Sequence, residues 1–205
     1  VPRSRKRLDK SLQGGIERGK LTPEQAEEVK QRITWGGDYA VVAEADWVIE
    51  AVFEDVEVKR QVWGQVAQRV RDGVPVASNT STMPIKSLAA FFGRPERFVG
   101  MHFFNPPPAM KLVEVIPSDQ TAPQVTEAAV ALCERMGKTP LLAPDIPGFM
   151  VNRAFGALVA AAAEVWALGG EPAAIDQALE LGLGHKMGPL RTSDLVGLDI
   201  IKAVH

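Results

Sequence analysis

Cysteine is nearly missing from this chain, with Cys133 the single example in 205 residues. No internal disulfide can form, which excludes a bridge-stapled secreted scaffold and favours a reducing compartment. Long apolar runs are missing too. The stretch from Ala154 to Leu168 is shorter than a membrane span and is interrupted by Glu164, and the charged start does not read as a signal peptide. A soluble, cytoplasmic protein with no membrane partner is expected. Strong net charge is also lacking. The formal charge of -2 provides no basic field for a nucleic acid backbone, so no nucleic acid partner is expected. Arg3, Arg5, Lys6, Arg7, Lys10, Arg18 and Lys20 crowd the first twenty residues, a pattern that reads as a solvated helix face.

Enough apolar residue types are present, 46% of the chain, to bury a sizeable core in one domain or one and a half. Residues 1–33 read as a helical hairpin, its second helix started by Thr22 as N-cap, Pro23 at the first helical position and Gln25 closing a capping box. Gly14, Gly15 and Gly19 are read as an interruption of the first helix. From Ala45 short apolar runs alternate with longer amphipathic ones. Strands are expected at 47–52, 74–77, 98–102, 112–116 and 139–143, and helices at 56–71, 85–91 and 123–136. The expected fold class is therefore α/β, with a mostly parallel sheet covered by helices on both faces. After Asp145-Ile146-Pro147-Gly148 the pattern turns helical, with helices over 151–168 and from Pro172. A domain boundary is placed near Pro147, separating residues 1–147 from 148–205.

A dinucleotide-binding fold normally opens with a strand, a G-x-G-x-x-G turn and a helix whose N-terminus takes the pyrophosphate. No such run occurs in the sequence. The chain reads as entering the fold after its first two strands, a partial Rossmann-type domain without its first βαβ unit.

Polar residues on the apolar background mark the candidate chemistry. Ser78-Asn79-Thr80-Ser81-Thr82 follows an expected strand at its carboxyl end, where ligands bind in open α/β sheets. The same residue types also suit a capped turn. His102 ends a strand, and Glu114 lies twelve residues on within Leu112-Val113-Glu114-Val115-Ile116, where a lone carboxylate is costly without a partner. The proline run 106–108 could fold the chain back so that the two meet. A carboxylate beside an imidazole fixes its tautomer and raises its basicity; the alternative is a strand-end histidine and a solvent-facing carboxylate. Glu50 and Glu54, with Asp55 and Lys59 nearby, either touch a ligand or begin the next helix. Asn152 and Arg153 open the long helix, facing a cleft or serving as its cap.

The runs Ala45 to Glu54 (ADWVIEAVFE), Ala77 to Ser81 (ASNTS), His102 to Pro106 (HFFNP), Met110 to Val115 (MKLVEV) and Pro147 to Arg153 (PGFMVNR) resemble, in order and spacing, the 3-hydroxyacyl-CoA dehydrogenase family, in particular its 3-hydroxybutyryl-CoA dehydrogenase-like members. Met187-Gly188-Pro189 and Asp194 to Asp199 (DLVGLD) extend the resemblance over nearly the whole chain. The resemblance implies NAD-dependent, reversible oxidation of an L-3-hydroxyacyl-CoA to the 3-oxoacyl-CoA, in fatty acid β-oxidation or butanoate metabolism. His102 is implied as the catalytic base and Glu114 as its partner. Ser81 and Asn152 would hold the substrate oxygen, with Glu54, Lys59, Ser81 and Asn105 as contacts of the NAD cofactor and Lys59 alternatively reaching CoA or phosphate. No metal is implied. Residues 148–205 would begin the helical substrate and dimerisation domain of a homodimer.

The sequence also departs from the family. The glycine loop is missing, the chain stops at His205 a few helices into the second domain, Thr82 stands where a second serine is common, and His185-Lys186 replaces an aromatic residue and a proline. The chain thus reads as truncated at both ends. The competing reading is a non-catalytic acyl-CoA-binding or dimerisation fragment. A dehydrogenase of free 3-hydroxy acids fits the fold but not the His-Phe-Phe-Asn-Pro run.

Overall fold

The computed structural model describes residues 1–196, so Gly197, Leu198 and Asp199 of the last motif lie outside the described residues. The chain divides into two units, Val1–Glu44 and Ala45–His205. In the first, α1 (Pro2–Glu17) and α2 (Pro23–Gln31) form the expected hairpin. The capping box is present, with the Gln25 N–H donating to Thr22 Oγ1 at 3.2 Å and the Thr22 N–H to Gln25 Oε1 at 2.9 Å. One expectation is corrected: α1 runs straight through Gly14 and Gly15. A Cβ on Gly15 would come within 2.9 Å of Leu21 Cδ1, so the missing side chain admits the returning chain and helps offset the helix-propensity cost of glycine. The turn itself falls at Gly19, whose φ of 64° suits glycine.

The second unit holds a five-stranded sheet in the order β1-β2-β3-β4-β5, formed by β1 (Val48–Glu50), β2 (Val76–Ser78), β3 (Phe98–Phe103), β4 (Leu112–Pro117) and β5 (Thr139–Leu142). All neighbours are parallel except β3 and β4. Parallel neighbours need crossovers, which are supplied by α3 (Val56–Ala67), α4 (Ile85–Phe92) and α5 (Pro123–Arg135). The antiparallel pair is joined by the loop that carries Pro106, Pro107 and Pro108.

Alternation along β3 sorts its side chains between two layers. Phe98 meets Trp63 of α3 edge to face at 4.6 Å, and Gly100 faces α4, where a Cβ would lie 2.7 Å from Ile85 Cδ1. On the opposite face Val99 and Met101 join Ala77, Val113, Val115 and the α5 residues Val125, Ala129 and Cys133 in one buried cluster. By the same alternation His102 shares the face of Phe98 and Gly100. Beyond the sheet, α6 (Val151–Ala167), α7 (Pro172–Leu183) and α8 (Pro189–Val196) are helical. Asp176, buried within α7, accepts the Leu190 and Arg191 N–H groups at 2.9 Å each and so caps the start of α8.

Candidate active site

The antiparallel register places His102 directly opposite Glu114. His102 Nδ1 lies 2.8 Å from Glu114 Oε2, with the histidine 5% exposed and the glutamate fully buried. A carboxylate can only accept, so it favours the tautomer with hydrogen on Nδ1, in which Nε2 is left as an acceptor. Glu114 Oε1 is occupied as well, accepting the Met150 N–H at 2.9 Å and the Val151 N–H at 3.0 Å. These are donors of the first turn of α6, otherwise unpaired, and the helix dipole favours an anion there. Burial pushes the Glu114 carboxyl up, but the hydrogen bonds from His102, Val151 and Met150 outweigh it and hold the group below its ordinary value.

The chain reaches this geometry through Phe149, which among the described residues is the one positive-φ residue other than glycine, with φ at 48°. Its buried ring packs at 5.8 Å from the His102 ring, and Phe104 sits at 4.6 Å on centroids. The imidazole is thereby walled by aromatic groups.

Next to this pair, at the carboxyl ends of β1 and β2, lies the polar turn 78–82. Glu54 Oε1 accepts the Thr80 hydroxyl, the Thr82 hydroxyl at 3.0 Å, and the Ser81 and Thr82 N–H groups at 3.2 Å each. Burial raises the Glu54 carboxyl, but the Thr80 hydrogen bond, the Lys59 charge and Thr82 together bring it below its ordinary value. Ser81 and Asn152 come together: the Asn152 amide donates to the Ser81 carbonyl at 3.4 Å. Among the described residues the Ser81 hydroxyl has no partner within the chain. Asn105 is exposed in the loop after β3, and the Lys138 ammonium steadies that loop by donating to the carbonyls of Pro107 and Met110.

Lys59 is placed otherwise than the sequence suggested. Its side chain is 1% exposed, with Nζ 2.8 Å from Glu50 Oε1 and 3.2 Å from Glu54 Oε2, so it acts on these carboxylates and offers no surface to a phosphate. Sequence reading also missed Asp145, whose two oxygens accept the Ile85 and Lys86 N–H groups and cap α4 from sixty residues away. Glu50 neither meets solvent nor begins the next helix, which Asp55 caps; as a carboxylate closing an apolar strand it is partnered by Lys59 and Ser78. Among the described residues no group of three His, Cys, Asp or Glu side chains is placed to hold a metal ion.

Comparison with known proteins gives this geometry a context. A family profile described as the NAD binding domain of 3-hydroxyacyl-CoA dehydrogenase matches residues 1–146, and the profile of that enzyme's C-terminal domain matches residues 148–205. A probable 3-hydroxybutyryl-CoA dehydrogenase of Deinococcus radiodurans is 41% identical over 198 residues, which are 96% of this chain and 71% of that protein. The crystal structure of (S)-3-hydroxybutyryl-CoA dehydrogenase from Ralstonia eutropha superposes with a TM-score of 0.94 at 36% identity, over 100% of this chain and 72% of that one. The 3-hydroxybutyryl-CoA dehydrogenase of Escherichia coli follows at 0.91 and 39%, over 99% of this chain and 43% of that one.

The residues present fit one end of NAD. The unpartnered Ser81 hydroxyl, the exposed Asn105 amide and the walled imidazole are hydrogen-bonding groups suited to a nicotinamide and its ribose. A pyrophosphate calls for backbone N–H groups and positive potential. The helix start that follows β1 instead carries Asp55 as its cap, with Glu54 and Glu57 beside it, and no G-x-G-x-x-G run occurs in the sequence. With both domain profiles matched along its length and relatives at this level of identity, the chain belongs to the 3-hydroxyacyl-CoA dehydrogenase family, oxidoreductases whose cofactor is NAD.

Proposed function

We propose that the site oxidises an L-3-hydroxyacyl-CoA reversibly to the 3-oxoacyl-CoA, with His102 as the base and Glu114 as the group that orients it. The observation that carries this reading is the buried 2.8 Å contact between His102 Nδ1 and Glu114 Oε2. When bound, NAD supplies the acceptor for the hydride that leaves C3. His102 Nε2 takes the proton of the 3-hydroxyl, and the Glu114 carboxylate stabilises the imidazolium that results. Ser81 and Asn152 donate to the 3-oxygen, where negative charge builds as the proton departs; a well-placed donor of this kind contributes about 3 kcal/mol to the transition state. In the reverse direction the imidazolium returns the proton to the forming alkoxide.

Asn105 and Ser81 are proposed contacts of the nicotinamide end, with Glu54 shaping the turn between them. Residues 148–205 are read as the start of a substrate and dimerisation domain, and the protein as a homodimer acting in fatty acid β-oxidation or butanoate metabolism. An apolar groove of about 420 Å³ between α6 and α7, lined by Leu158, Val165, Ile175 and Ala178 among others, supports the dimer.

The test is NADH oxidation by the 205-residue chain with acetoacetyl-CoA, run beside a His102→Gln variant. The expected result is turnover that falls about 10²- to 10⁴-fold in the variant, the usual contribution of a positioned base. A variant as fast as the parent sinks the assignment of His102. A folded chain that binds acetoacetyl-CoA without turning it over favours the non-catalytic, acyl-CoA-binding reading.

A further inference from the structure

The turn that presents Ser81 is built on two carboxylates and one buried ammonium. Glu50, 4% exposed, takes the Lys59 ammonium and the Val52 N–H on Oε1 at 2.8 and 2.7 Å, and the Ser78 hydroxyl on Oε2 at 2.7 Å. Lys59 continues to Glu54, which receives the two threonine hydroxyls and the Ser81 and Thr82 N–H groups. A second branch bypasses the lysine: the Ser78 oxygen accepts the Thr80 N–H at 3.2 Å, and the Thr80 oxygen accepts those of Thr82 and Met83 at 3.3 and 3.0 Å. Both branches start at Glu50 and converge on the backbone around Ser81. Two carboxylates sharing one buried ammonium is a costly arrangement unless their oxygens take further hydrogen bonds, and Glu50 Oε2 and Glu54 Oε1 take theirs from the turn. A simple cap would need one side-chain acceptor.

We infer that Glu50 and Lys59 are positioning residues for Ser81. They lock its backbone through Glu54 and Ser78 while leaving its hydroxyl free for the 3-oxygen of the substrate. The inference rests on the reading of Ser81 as a donor to that oxygen. Glu50→Gln keeps the shape but removes the charge that shares Lys59 between two acceptors; the ammonium is then drawn to Glu54 alone and competes with the turn for its oxygens.

The experiment compares two ligands that differ only at C3, acetoacetyl-CoA and butyryl-CoA, by titration calorimetry on the 205-residue chain. The parent is expected to prefer acetoacetyl-CoA about 5-fold or more, the scale of one hydrogen bond, and Ser81→Ala to lose most of that preference. Glu50→Gln is expected to lower the preference about 3-fold while its affinity for butyryl-CoA stays near that of the parent. A merely structural role would weaken both ligands together, or lower the melting temperature, without moving the ratio.

An unchanged ratio in folded Glu50→Gln, with the ratio lost in Ser81→Ala, overturns the positioning role and leaves the substrate reading intact. A parent with no preference, or a Ser81→Ala variant that keeps it, overturns both. Should Glu50→Gln fail to fold, Thr82→Val at the less buried end of the network carries the same test: a lowered ratio supports the inference and an unchanged one overturns it.

Discussion

Each oxygen of Glu114 is engaged, one by His102 and the other by the first turn of α6, so donors offset the cost of burying its charge. Glu114→Gln keeps the volume but withdraws the charge that steadies the imidazolium. Turnover is expected to fall about 10²-fold, with the loss in kcat more than in KM, as steady-state kinetics with acetoacetyl-CoA would show. The same carboxyl has a signature in stability. Its folded value lies below the ordinary 4.5, so the stability it contributes is fully present above that pH and is lost as pH falls through the folded value. Glu54 contributes in the same direction. Acid unfolding followed by circular dichroism should therefore show a shallower decline in Glu114→Gln than in the parent; equal slopes would count against the hydrogen-bonded carboxylate. The contact of His102 with Glu114 was only half legible in sequence: a carboxylate on an apolar strand demands a partner or solvent, and the resemblance to the family favoured the partner. Asp145 was not legible, because a carboxylate in a proline-flanked linker has no local reason to reach a helix sixty residues away.

Among the elements, α4 shows how far a local rule reaches. Its N-cap position is Pro84, which offers no side-chain acceptor, and the orphan N–H groups of Ile85 and Lys86 go to Asp145 at 2.7 and 2.9 Å. Asp145→Ala is expected to cost about 1–2 kcal/mol, the range of a lost cap, read as a lower urea midpoint at unchanged slope. The strands were found in sequence because their apolar runs are short and bounded by turn residues. Their ends were not: β1 was expected over 47–52 but pairs only over Val48–Glu50, since Val52 donates its N–H to the Glu50 side chain instead of to a neighbouring strand. α1 was split at glycines that periodicity cannot distinguish from breakers. The approach of Leu21 explains Gly15.

For the whole molecule, alternation of strand and helix foretold the parallel sheet, while the reversal at β4 depended on a proline-rich loop whose path no pattern specifies. The fold leaves Val165, Trp166, Leu168 and Leu181 at least half exposed on or beside α6 and α7. Of these Val165 lines the apolar groove between α6 and α7, and exposed apolar surface of this kind is what the proposed homodimer would cover. Sedimentation equilibrium is expected to give a dimer for the parent and a shift toward monomer for Trp166→Glu; a parent that remains monomeric at high concentration removes the homodimer from the proposal.

The shared hold on Glu114 bears on how the chain can be divided. The two family profiles meet between residues 146 and 148, which invites a cut there when separate domains are wanted. The donors at Met150 and Val151 lie just past that point. A piece ending at the seam would keep the histidine and its glutamate but strand one carboxylate oxygen in the interior, freeing it to turn away from the ring or to take up a proton. Shuffled or split versions of this enzyme should carry the seam beyond the first turn of α6, so that His102 inherits the helix that holds its partner still.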